Sequence, residues 1–226
     1  IARHLAAKEH GPGVDILFTD VEDHGQPSGA MTLDDNSIDT WALGAQYFAK
    51  NPPVPGYQAR FGILLDMVGA KDAVFYREAI SMQVAPAVVA KVWKTAAALG
   101  HGERFVQETK YFVGTDDHVP INRTLRIPTI DIIQYHEATG AFHPSWHTHD
   151  DNMAVIDRAS RKIFARSYEP CASGIASPLP RTCAASYQPM IRLNDTGPSS
   201  PEKTTTQMSI SCTFIERPSC PSRASE

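Results

Sequence analysis

Up to about residue 165 the chain alternates short apolar runs with stretches whose apolar positions recur every three to four residues, a pattern that predicts an α/β layer architecture. Residues 14–21 (VDILFTDV) and 59–68 (ARFGILLDMV) read as buried strands, each running into acidic residues. Between them, 39–51 (DTWALGAQYFAKN) is helical in pattern, with Trp41, Ala45 and Phe48 on one side and Asp39 placed to cap it. A core helix is predicted over 81–99, where Val84, Val88, Val92 and Ala96 repeat at four-residue spacing, Ser81 serves as cap and Pro86 falls in the first turns. Residues 128–135 (PTIDIIQY) form a further strand, and a closing helix is expected over 153–167. The chain opens on Ile1 rather than methionine, with Ile1, Ala2, Leu5 and Ala6 already at helical spacing, so a preceding segment is expected.

From Tyr168 onward the character changes. Ser, Pro and Thr dominate and no apolar period is sustained, so this stretch is predicted to bury too little surface to offset its chain entropy. The expected organisation is one domain over 1–167 and a disordered tail over 168–226. With 226 residues, of which 42% are hydrophobic, the chain can build a full core. A net charge of -4 leaves no basic footprint for nucleic acid, which is excluded as a partner. No apolar run approaches the roughly 20 residues that cross a bilayer, and no transmembrane segment or signal peptide is read in this chain. All 4 cysteines fall in the last quarter without zinc-ribbon or CxxC spacing, and both a disulfide-bonded tail and free thiols remain open.

The chemistry lies in the acidic clusters. Asp20, Glu22 and Asp23 follow the first strand, Asp66 closes the second, and Asp116 and Asp117 precede the strand at 128–135. In open α/β sheets such positions face the crevice beyond the carboxyl ends of the strands. Carboxylates gathered there repel one another unless a cation or shared protons compensate them, and a metal ion is the simplest compensation. His147, in WHTHDDN, adds an imidazole, and a mixed nitrogen and oxygen set suits Zn²⁺ better than Mg²⁺ or Ca²⁺. Each cluster alone is more often a helix cap or a solvated loop, so the weight rests on their joint order.

That order, DVEDHG, LLDMVGA, TDDHVP and WHTHDDN, resembles the motif series of the M28 zinc peptidase superfamily, and in particular its bacterial glutaminyl-peptide cyclotransferase-like branch, over residues 1–161. The resemblance implies a three-layer α/β/α fold with a mostly parallel mixed sheet, zinc exopeptidase-like and lacking its N-terminal strands. It implies Glu22 as general acid/base, Asp23 and His147 as zinc ligands, and Asp66 and Asp116 as a hydrogen-bonded catalytic network. Trp146 and Phe142 correspond to aromatic walls of the substrate pocket. Family members place one further zinc-binding Asp upstream, in a segment resembling GANDNASG that this sequence does not contain.

The activity so implied is zinc-dependent formation of N-terminal pyroglutamate, with a peptide or protein N-terminus as substrate and ammonia as leaving group. An M28 aminopeptidase would use the same residues differently, with Glu22 activating a metal-bound water and Asp66 holding a second zinc. A third reading is an inactive remnant or binding module that keeps an acidic crevice. The family implies an extracytoplasmic location, periplasmic or secreted.

Overall fold

The computed structural model describes residues 13–22, 40–157, 159–160, 163 and 211–217. The elements in chain order are β1 (Val14–Thr19), α1 (Leu43–Lys50), β2 (Phe61–Asp66), β3 (Phe75–Glu78), α2 (Ala79–Val84), α3 (Pro86–Ala98) and β4 (Phe105–Lys110), then α4 (His118–Pro120), a π-helical turn (Ile121–Leu125), β5 (Thr129–Ile133) and β6 (Ser211–Glu216). The main sheet has the order β1-β6-β2-β5. β2 and β5 are parallel, with Ile63 opposite Ile130 and Leu64 opposite Asp131. β6 runs antiparallel to both β1 and β2. Strands β1, β2 and β5 therefore point the same way, and the sheet is mixed, with one parallel and two antiparallel ladders rather than the mostly parallel pairing expected. The parallel pair β3–β4 continues beyond β5, joined to it by the bridge between Phe75 and Gln134 and by Tyr135 N–H donating to Val74 O at 3.0 Å.

Alternation along the strands divides the core into two layers. On one face Phe61, Ile63, Ile130, Ile132 and Phe214 meet Val89, Val92, Trp93 and Ala96 of α3. On the other, Ile215 and Leu17 pack with Tyr57, Phe48, Ile121 and Ile127 beneath α1 and the π-helical turn. Helices on both faces give the three-layer α/β/α arrangement that the sequence predicts. Among the described residues, no helix is long and apolar enough to cross a membrane.

Three local departures have identifiable causes. The helix predicted over 81–99 is two helices, broken at Ala85 (φ −143°, ψ 47°), because Pro86 donates no N–H and restricts the residue before it. Its cap is not Ser81 but Glu78, whose carboxylate accepts from the N–H groups of Ile80 and Ser81 at 2.6 Å. The closing helix starts later than residue 153: Met153 is 75% exposed in a turn, and the Asp157 carboxylate caps Ser160 N at 2.8 Å. The predicted helix at the chain start and the cap at Asp39 lie outside the described residues.

Strand β6 departs most from expectation, since it comes from the stretch after Tyr168. Six residues, SCTFIE, are too few to register as a sustained apolar period, yet they alternate Cys212 and Phe214 on one face with Thr213 and Ile215 on the other. Thr213 through Glu216 are buried. Cys212 is a free thiol that burial pushes up to about 11, so it acts as a small packing residue rather than a nucleophile. The other cysteines lie outside the described residues.

Candidate active site

Because β1, β2 and β5 are co-directional, the segments that leave their carboxyl ends emerge along one edge. Asp66 is the last residue of β2 and Glu22 lies three residues past the end of β1. The Glu22 segment is pinned by the start of α1, where the N–H groups of Ala42, Leu43 and Gly44 donate to the carbonyls of Glu22, Val21 and Asp20 at 3.0, 3.2 and 3.1 Å. Gly44 is required there: a Cβ would sit 2.5 Å from Asp20 O. A second tie runs from Thr19 Oγ1, which donates to Asp117 Oδ2 and joins the end of β1 to the TDDH segment.

That segment is buried throughout, with Asp116 4% exposed and Asp117 and His118 at 0%. Burial pushes the Asp116 carboxyl well above the usual carboxylate range, and the negative charges of Asp131, Asp66, Glu22 and Asp117 push it further. Asp131, in the middle of β5, is held up in the same way by burial and by Asp66, Glu78, Asp117 and Glu22. Among the described residues, neither side-chain oxygen of Asp131 has a hydrogen-bond partner. A buried carboxyl without donors and surrounded by negative charge keeps its proton. Burial and mutual repulsion thus favour the protonated forms of Asp116 and Asp131.

Glu78 behaves in the opposite way. Burial works to raise its carboxyl, but His118 beside it and the N–H groups of Ile80 and Ser81 outweigh that and hold it below the usual range. His118 Nε2 lies 3.5 Å from Glu78 Oε2, at the long limit for a hydrogen bond. Glu78 is therefore the ionised acid of the buried group, tied into the start of α2.

The second part of the site is aromatic and open. His147 sits on a turn with φ 57° and stacks on the Trp146 indole at 3.8 Å between centroids. Trp146, 39% exposed, contacts Phe142 at 4.5 Å, and the ring contacts continue through Phe112 and Tyr135 to Tyr76. The turn is built by short backbone bonds, Trp146 N to His143 O at 2.9 Å and Thr148 N to Ser145 O at 3.0 Å. Further on, Ile156 bridges to Ala70 and Asp157 N donates to Gly69 O at 2.8 Å, which seats the WHTHDDN segment on the LLDMVGA loop.

Of the residues singled out from the sequence, Glu22, Asp66 and Asp116 share one electrostatic neighbourhood, and Phe142, Trp146 and His147 form one stacked wall. Asp23 lies outside the described residues. Among the described residues, no group of three or more His, Cys, Asp or Glu side chains is arranged to hold a metal. His147 is an exposed imidazole on this wall, and its expected zinc partner Asp23 is not among the residues described. Sequence reasoning missed Asp131, Glu78 and His118. Asp131 had a signal, as the one charged residue in the otherwise apolar run 128–135. Glu78 had none, because its role depends on a helix starting at Ala79 and on His118, which only the fold brings beside it.

The sequence model of Peptidase family M28 matches residues 1–169. The chain resembles the glutaminyl cyclase of Bacteroides thetaiotaomicron, solved bound to N-acetylhistamine, at 43% identity with a TM-score of 0.62, over 70% of this chain and 53% of that one. It is 48% identical to Porphyromonas gingivalis glutaminyl cyclase, with a TM-score of 0.54, over 57% of this chain and 47% of the other. A Zn-dependent exopeptidase from Parabacteroides distasonis matches at 41% identity with a TM-score of 0.61, over 70% and 53% of the two chains. The chain thus spans about half the length of these solved relatives. No curated protein matches it.

Proposed function

The chain belongs to peptidase family M28, and on that premise we propose that it carries the catalytic edge of a zinc-dependent glutaminyl-peptide cyclotransferase, which converts an N-terminal glutamine to pyroglutamate and releases ammonia. The observation that carries this reading is the gathering of Glu22, Asp66 and Asp116 at one sheet edge, where burial and the neighbouring acids raise the Asp116 carboxyl. In the reaction the peptide's α-amine attacks its own γ-carboxamide carbon, a C–N bond forms, and the amide C–N bond breaks. One proton must leave the amine and one must reach the departing nitrogen.

Glu22 takes both parts of that transfer, accepting from the amine and delivering to the leaving ammonia. It must be ionised at the start, and the shift of Asp116 and Asp131 toward their protonated forms favours this by reducing the negative charge around it. Protonated Asp116 is also a donor, able to orient an ionised neighbour such as Asp66 by hydrogen bonding. Zn²⁺ is the cofactor this reading assigns to Asp23 and His147, and when bound it would polarise the scissile carbonyl. Trp146 and Phe142 would wall the glutaminyl side chain and exclude water, which favours the internal amine over hydrolysis.

A second reading, an M28 aminopeptidase, is favoured by the likeness to the P. distasonis exopeptidase and by a leucine aminopeptidase precursor of B. thetaiotaomicron at 42% identity. The two are separated by products. With zinc supplied and an N-terminal glutaminyl peptide offered, the cyclase reading predicts one ammonia for each pyroglutamyl peptide and no free amino acid. Free N-terminal residues would overturn it in favour of the peptidase. An extracytoplasmic location is the one this reading expects.

A further inference from the structure

The TDDH segment is tied to three neighbouring elements among the described residues. Thr19 Oγ1 at the end of β1 donates to Asp117 Oδ2, and the Asn122 amide donates to His118 O at 2.8 Å and to Thr129 O of β5 at 2.7 Å. The remaining tie is the pair formed by the His118 imidazole and the Glu78 carboxylate, both fully buried. Glu78 ends β3 and caps α2, so the pair joins the segment to the first turn of that helix. The same turn reaches β5, because Ser81 Oγ accepts from Asp131 N–H at 2.9 Å.

A helix cap by itself needs neither a full charge nor a histidine. Neutral Ser, Thr or Asn accept from the same N–H groups, and a buried carboxylate is costly to keep ionised. Burial opposes the charge on Glu78, yet His118 and the N–H groups of Ile80 and Ser81 outweigh it. His118 is matched to this acid: Nε2 lies 3.5 Å from Glu78 Oε2, and neither ring nitrogen has another partner among the described residues. The imidazole stands two residues after Asp116, in a turn where Val119 N–H donates to Asp116 O at 2.9 Å and Asp117 N–H to Asp116 Oδ1 at 2.5 Å. The turn and the Asp116 carboxyl therefore move as one piece, and what fixes His118 fixes Asp116.

We propose that Glu78 and His118 are positioning residues of this site: the buried pair bolts the TDDH turn to α2 and so sets the place of the Asp116 carboxyl relative to Glu22 and Asp66. The consequence for turnover rests on the cyclase reading of Glu22, whereas the placement of Asp116 does not. Without the pair the segment keeps its ties to β1 and β5 and loses the one to α2, and a displacement of about 1 Å is enough to cost ~10²-fold in rate.

The test uses the full chain labelled with ¹³C-carboxyl aspartate and ¹⁵N-histidine, read by NMR. In the unsubstituted protein His118 Nε2 should carry a proton that exchanges slowly and whose resonance moves in E78Q. H118L removes the donor, and the Asp116 carboxyl resonance, assigned by its loss in D116N, should shift. H118Q, whose amide nitrogen takes the place of Nε2, should return it. The control is V89A, a core substitution in α3, which should lower Tm and leave that resonance in place. With zinc supplied, H118L should lower kcat by ~10–100-fold with KM changed by less than ~2-fold, and H118Q should recover most of the loss. An Nε2 without a proton, an Asp116 resonance unmoved in H118L, or one moved as far in V89A would overturn the proposal, and the first of these is read even where H118L does not fold. E22Q turning over at the unsubstituted rate, with the Asp116 resonance responding to His118 as stated, would instead overturn the cyclase reading alone.

Discussion

On one face of the sheet Phe61, Ile63, Ile130, Ile132 and Phe214 interdigitate with α3 around Trp93, which is 1% exposed with its indole N–H donating to Val106 O at 2.8 Å. On the opposite face the same strands present Thr19, Asp66 and Asp131, and the helical layer answers with Asp117. The first face is chiefly apolar and is packed for stability. The second leaves Asp131 without a hydrogen-bond donor among the described residues and crowds acids together, an arrangement that costs stability and marks a candidate site. Strand alternation keeps the two apart: Ile130 and Ile132 face α3, and Asp131 between them faces away.

This division should separate activity from stability under mutation. The largest effect is expected for Glu22→Gln, which should lower turnover ~10²–10⁴-fold while moving Tm little, as measured by ammonia release and thermal unfolding. On the packed face, Trp93→Ala should lower unfolding free energy by ~3–5 kcal/mol in denaturant titration and leave turnover per folded molecule unchanged. Asp131→Asn should do the reverse of an ordinary core mutation. Its folded carboxyl is raised above its unfolded value, so the folded state binds the extra proton and wild-type stability falls as pH rises from the unfolded carboxyl range toward the folded one. The variant should lose part of that decline and gain about 1–3 kcal/mol at neutral pH. The smallest effect is expected at the open wall, where Trp146→Ala should raise KM by a factor set by about 1 kcal/mol with kcat nearly constant.

Much of this was legible in the sequence. The strands at β1, β2 and β5 stand out because buried strands are short, continuous apolar runs, and their acidic ends mark the chemical edge. Less visible were β3 and β4, whose mixed sequences FYRE and FVQETK belong to a peripheral pair with three successive exposed residues, Gln107, Glu108 and Thr109, along β4. The break at Ala85 was missed because helical periodicity runs across it, although Pro86 was in view. β6 was hidden by its surroundings: a strand six residues long, between stretches rich in Ser, Pro and Thr, is specified by its pairing with β1 and β2 rather than by its own pattern. In the site, Asp66 and Asp116 were found through the motif series, while the state of Asp116 depends on Asp131, a neighbour that only the fold brings near.

The central claim is that two acids at this edge are neutral so that Glu22 can be charged. Infrared spectroscopy of protein labelled with ¹³C-carboxyl aspartate reads it directly at neutral pH. The account predicts a neutral-carboxyl band that weakens in D116N, weakens in D131N and disappears in the double variant. Absence of that band in the unsubstituted protein, with every aspartate ionised, would contradict it.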